Sequence, residues 1–85
     1  MKYMKTVLLD VEQERITQIG RWGKQQHSLA EWYLILAEEV GEVAKAIQEH
    51  DGSYNEIYDE LVQVAAVSIQ ICEAIKDMEE ANEKI

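Results

Sequence analysis

The sequence predicts an all-α fold: a three-helix protomer whose second and third helices form a four-helix-bundle core in a homo-oligomer. Three observations carry this. The chain has no proline, no phenylalanine and only four glycines, so strand and turn signals are few. Apolar residues recur at steps of three and four, the period of one helical face. Ser28 with Glu31, and Ser53 with Glu56, have the spacing of a capping box, in which each residue's side chain satisfies the other's free backbone N–H. With 85 residues and no repeat, linker or low-complexity stretch, residues 1–85 read as one domain.

The first helix is predicted over Thr6–Ile19, with Leu8, Leu9, Val11, Ile16 and Ile19 apolar and Gly20 as its stop. Arg21 to His27 reads as a loop. Ser28 caps the second helix, Leu29–Glu49, whose stripe is Leu29, Trp32, Tyr33, Leu36, Val40, Val43 and Ile47. Asp51-Gly52 is a turn signal, and Ser53 opens a third helix from Tyr54 to beyond Met78. Its stripe is Ile57, Leu61, Val64, Ser68, Ile71, Ile75 and Met78, but Val62, Ala65, Ala66, Ile69 and Cys72 fill much of the remaining circumference. A helix that is apolar nearly all round needs cover on several sides, which two partner helices hardly provide. Two copies of helices two and three supply it; a tight monomeric three-helix bundle is the simpler arrangement.

The formal net charge is −9. That speaks against a nucleic-acid-binding surface, which needs a basic stripe, and against an anionic membrane. No stretch approaches the roughly 20 apolar residues of a membrane span, and the lysine-bearing N-terminus has no apolar run of signal-peptide length. Cys72 is the single cysteine, expected as a small buried apolar side chain. The expected compartment is the cytoplasm.

Most helical carboxylates are solvated surface, so geometry must single out any that act together. At about 100° per residue, Glu39 and Glu42 flank one side of the second helix's stripe, and Glu60 and Gln63 flank the same-signed side of the third's. Two antiparallel helices packed stripe to stripe bring same-signed flanks together. The turn agrees: Glu42 with Glu60, and Glu39 with Gln63, are each symmetric about Asp51. Glu38 and Asp59 point to the backs of their helices. Bare carboxylates at one patch repel, so their proton affinities rise or a cation sits among them. A hard divalent ion with oxygen ligands suits such a patch, Mg²⁺ first and Mn²⁺ as an alternative.

At these residues the chain resembles a known family. Leu36-Ala37-Glu38-Glu39-Val40-Gly41-Glu42-Val43-Ala44-Lys45-Ala46 is similar to the first motif (EExxE) of MazG-like nucleotide pyrophosphohydrolases, in the all-α NTP pyrophosphatase superfamily. Glu60-Leu61-Val62-Gln63, with the apolar run after it, resembles their second motif, ExxD. Trp22-Gly23-Lys24-Gln25-Gln26-His27-Ser28 resembles the aromatic-and-His lead-in. The resemblance covers roughly residues 15–75. It implies all-α dimers or tetramers that use Mg²⁺ to hydrolyse (deoxy)nucleoside triphosphates to monophosphate and pyrophosphate. By residue, it makes Glu39, Glu42 and Glu60 metal ligands, with Gln63 where the family carries an Asp ligand. Glu38 becomes an orienting group or accessory base beside Glu39. Gln63 can ligate through its carbonyl but brings no charge and no basicity.

Trp22 and His27 are candidates to hold the base and sugar, as aromatic faces commonly do; a core cap and a surface residue are the plain alternatives. Arg21 and Lys24 are candidates for the phosphates. Two other functions stay open. One is a catalytically degenerate helical dimer serving as a binding or interaction module. The other is a phosphoribosyl-ATP pyrophosphohydrolase-like enzyme. Other catalytic classes find no motif: there is no Gly-rich phosphate loop, and His27 and His50 lie 23 residues apart on different segments, which is no zinc spacing.

Overall fold

The computed structural model describes residues 1–49 and 53–81. These residues form three helices and no strand: α1 (Met4–Trp22), α2 (Leu29–Glu49) and α3 (Tyr54–Glu80). The predicted bounds of α2 and the start of α3 agree with this. The turn expected at Asp51-Gly52, and His50 beside it, lie outside the described residues.

Two local expectations change. The first helix does not stop at Gly20; it continues through Arg21 and Trp22 and ends at Gly23. Gly23 has φ of 68°, a region that strains any residue with a Cβ, and its N–H donates to the Ile19 carbonyl at 2.8 Å. One glycine inside a helix costs only about 1 kcal/mol relative to alanine, too little to end it at Gly20. The capping box at Ser28 forms: Ser28 N–H donates to Glu31 Oε1 at 2.7 Å, and Glu31 N–H to Ser28 Oγ at 3.2 Å. The Ser28 donors hold the Glu31 carboxyl below its ordinary value. At Ser53 no side-chain cap bond forms, so that helix starts without the reciprocal pair.

The backbone of α3 comes within 8 Å of both α2 and α1, whereas α1 and α2 stay farther apart among the described residues and meet through side chains that line shared clefts. The chain runs up, down and up. Tyr58 Oη donates to the Asp10 carboxylate, and Arg15 bridges to Glu73 at 2.7 and 3.2 Å, so α1 runs alongside α3 in the same sense. The core is thin: Val11, Trp32, Ala46, Ala66 and Val67 are the buried apolar side chains among the described residues. Ala66 of α3 is fully buried, and Trp32 of α2 is 2% exposed, its ring edge-on to His27 at 4.7 Å.

The face of α2 that turns inward is not centred on its apolar stripe. Trp32 and Ala46 are buried and Glu39 is half-buried, while Tyr33, Val40 and Ile47 are exposed. The inward face is rotated about 80° from the stripe, toward Glu39. On α3, Leu61 and Ile69 are exposed, and so is Cys72, which corrects its expected burial: it lies in the sector of α3 that neither neighbour covers. No helix among the described residues is long and apolar enough to cross a membrane.

Trp32→Ala is expected to destabilise the fold by about 3–5 kcal/mol, the usual cost of emptying a large aromatic site, read as a lower urea midpoint followed by helical circular dichroism.

Candidate functional site

Because the inward face of α2 is turned toward Glu39, this carboxylate is carried into the packed region, close to Glu60 of α3. Its carboxyl is pushed above the ordinary value, first by burial and then by the negative charges of Glu60, Glu38, Glu42 and Glu14. Glu14 belongs to α1, so all three helices contribute charge to one place.

Glu39 also lines a cleft of about 360 Å³ together with Gln63, Trp22 and His27. The structure thus brings Glu39 and Gln63 to one cavity wall, as the hairpin symmetry requires. Glu60 is half-buried and acts on Glu39 by charge; Glu42 and Glu38 are exposed on the solvent side of α2. Trp22 is 55% exposed, and the Arg21 guanidinium lies 5.2 Å from its ring. Lys24 lies elsewhere: it pairs with Asp77 at 3.3 Å and lines neighbouring clefts.

Four polar lining residues, Glu14, Gln18, Gln25 and Gln70, are not among the site candidates the sequence offers. Gln18 had a signal. It lies seven residues after Val11, on the inward face of α1, where an apolar residue is expected. It is 6% exposed, and its Oε1 has no hydrogen-bond partner. Glu14, one turn earlier, follows from the same face.

A metal here would meet only oxygen donors: the carboxylates of Glu39, Glu42 and Glu60 and the carbonyl of Gln63. That chemistry suits a hard divalent cation, and the like charges around Glu39 are what a cation would relieve. Among the described residues, no three His, Cys, Asp or Glu side chains form a ready-made metal-holding cluster. No protein-family model, curated protein or solved structure matches the chain.

Glu39 binds its proton more tightly in the fold than in the unfolded chain, so its ionisation destabilises the fold as pH rises through the folded value; below the unfolded value the penalty vanishes. Glu39→Gln is therefore expected to raise Tm at pH 7, with the gain shrinking as pH falls through the carboxylate range, in thermal melts at low ionic strength.

Proposed function

We propose that this chain hydrolyses (deoxy)nucleoside triphosphates to monophosphate and pyrophosphate as a homo-oligomer, with Mg²⁺ or Mn²⁺ held by Glu39, Glu42, Glu60 and Gln63. The observation that carries the reading is the half-buried Glu39, crowded by four like charges, on a cleft that also holds Gln63, Trp22 and His27. The resemblance of the Glu38–Glu42 and Glu60–Gln63 segments to the MazG-like motifs supports it.

When bound, the cation neutralises charge on the phosphate oxygens as it develops. The chain's own residues do the rest. Glu38, solvent-facing and adjoining the donor set, positions the attacking water or takes its proton. Glu39 and Glu60, held on two packed helices, keep the donor oxygens in fixed register. Trp22 offers an aromatic face to the base, and His27, held by its contact with Trp32, lines the same cleft. Arg21 is the cation on this cleft and meets the phosphates, while Lys24 is engaged with Asp77 outside it. A second reading, a non-catalytic helical module, draws on Gln63 in place of an acid and on the absence of a ready-made three-group cluster among the described residues.

The homo-oligomer rests on area. The chain exposes 6680 Å², about 1,500 Å² more than the roughly 5,200 Å² of a compact monomer of its mass. That excess matches what each partner of an obligate dimer buries, on the order of 1,000–2,500 Å². Tyr33, Val40 and Ile47 of α2 and Leu61 of α3 lie on the flank of the α2–α3 pair away from Glu39, where a second pair would complete a four-helix core.

Pyrophosphate release from a panel of ribo- and deoxynucleoside triphosphates with Mg²⁺ tests the activity. Glu42→Gln is expected to lower kcat/KM by at least the ~10–100-fold that even an outer-shell metal partner costs; no release with either Mg²⁺ or Mn²⁺ from folded protein would favour the non-catalytic module. Sedimentation equilibrium at micromolar concentration is expected to show dimers or tetramers that Val40→Glu dissociates; a stable folded monomer would contradict the assembly.

A further inference from the structure

The cleft beside Glu39 has a wall made of carboxamides. Gln63 and Gln70 stand two turns apart on one face of α3, and Gln18 of α1 and Gln25 of the loop line the same space. Gln18 is the odd member. A glutamine on a helix's inward face gives up its water, and a buried acceptor without a partner costs stability that an apolar side chain of similar size would not. Gln18 Oε1 is in that position, buried and unpartnered, in a residue only 6% exposed that lines the cleft. The last torsion of a glutamine is broad and roughly two-fold, and the carboxylates on the cleft favour the rotamer that turns the amide N–H groups toward them and leaves Oε1 to a ligand.

The charged groups on this cleft are Glu14 and Glu39 against Arg21, a balance that leaves it one carboxylate in excess. A ligand edge that offers N–H groups is welcome there; one that offers carbonyl lone pairs meets carboxylates. Trp22, half-exposed on the same cleft, supplies a flat apolar face. A planar heterocycle with an exocyclic amine satisfies both demands, since a glutamine amide pairs edge to edge with an amino-bearing base.

Resting on the nucleotide reading above, we infer that Gln18 is a specificity-determining residue: its carboxamide reads the exocyclic amine of the base, so the cleft takes adenine and cytosine nucleotides over their oxo counterparts. The role is distinct from that of the carboxylates. Gln18 selects the base, and the Glu39 group acts at the phosphates.

Matched pairs isolate the amine. Adenine against hypoxanthine, and cytosine against uracil, differ by an amino group for a carbonyl. The test measures kcat/KM for ATP, ITP, CTP and UTP, and binding of the same four nucleotides by tryptophan fluorescence, on the wild type and on Gln18→Met. The wild type is expected to favour the amino member of each pair by about tenfold or more, the worth of one buried hydrogen bond left unmade. In Gln18→Met, which keeps the length of the side chain but neither donor nor acceptor, the two ratios are expected to fall to near one. Gln18→Asn, which withdraws the amide by one methylene, carries the same test if Gln18→Met does not fold. Equal ratios in wild type, or ratios that the variants leave unchanged, overturn the role of Gln18, and the hydrolase reading then stands only where pyrophosphate is released. Discriminating binding without pyrophosphate release supports Gln18 and sinks the hydrolase reading. Neither binding nor release of any of the four overturns both.

Discussion

Helix α3 must be shared. Its backbone approaches those of α1 and α2 at once, while those two keep their backbones farther apart among the described residues, so the packing depends on how α3 divides its circumference. Ala66 and Val67 are its two buried residues, and Val67 also lines the cleft beside Glu39. With two sectors occupied, a third is left over, carrying Leu61, Ile69 and Cys72. The thin core and the uncovered sector are two consequences of one constraint, too little chain to surround an apolar helix.

The same constraint places Glu39. For α2 to share α3 with α1, it turns Trp32 and Ala46 inward rather than Tyr33, Val40 and Ile47. Glu39 lies between Trp32 and Ala46 along that inward face and is carried into the packed region with them. Burial and the neighbouring carboxylates then raise its proton affinity. A destabilised carboxylate in a packed helix interface is a cost that an apolar residue would avoid, and it is the physical reason to look for a cation there. Glu14 adds a contribution from α1 to what would otherwise be a two-helix arrangement.

Much of this was legible in the sequence because it is set by local periodicity. The three-helix content, the bounds of α2, the Ser28–Glu31 box and the pairing of Glu39 with Gln63 all follow from spacing along one or two helices. What was not legible depends on the third partner. The end of α1 at Gly23 rather than Gly20 turns on which glycine takes a positive φ. The orientation of α2 toward Glu39 and the exposure of Cys72, expected to be buried, depend on how three helices share one core rather than on the period of any one of them. Lys24 was grouped with Trp22 and His27 by proximity in the chain, but the loop turns it toward Asp77. Gln18 and Glu14 join the cleft from a helix that the acidic motifs do not include, and only the misplaced polarity of Gln18 seven residues after Val11 hinted at it.

The proposed function requires a divalent cation among the oxygens around Glu39. Titration of uniformly ¹⁵N-labelled protein with substoichiometric Mn²⁺ tests it most directly, because paramagnetic broadening reports position without requiring turnover. Selective loss of the amide signals around Glu39, Glu42, Glu60 and Gln63, reversed by excess Mg²⁺, is the expected result. Broadening spread evenly over the chain's many other acidic positions, or none at all, would contradict it.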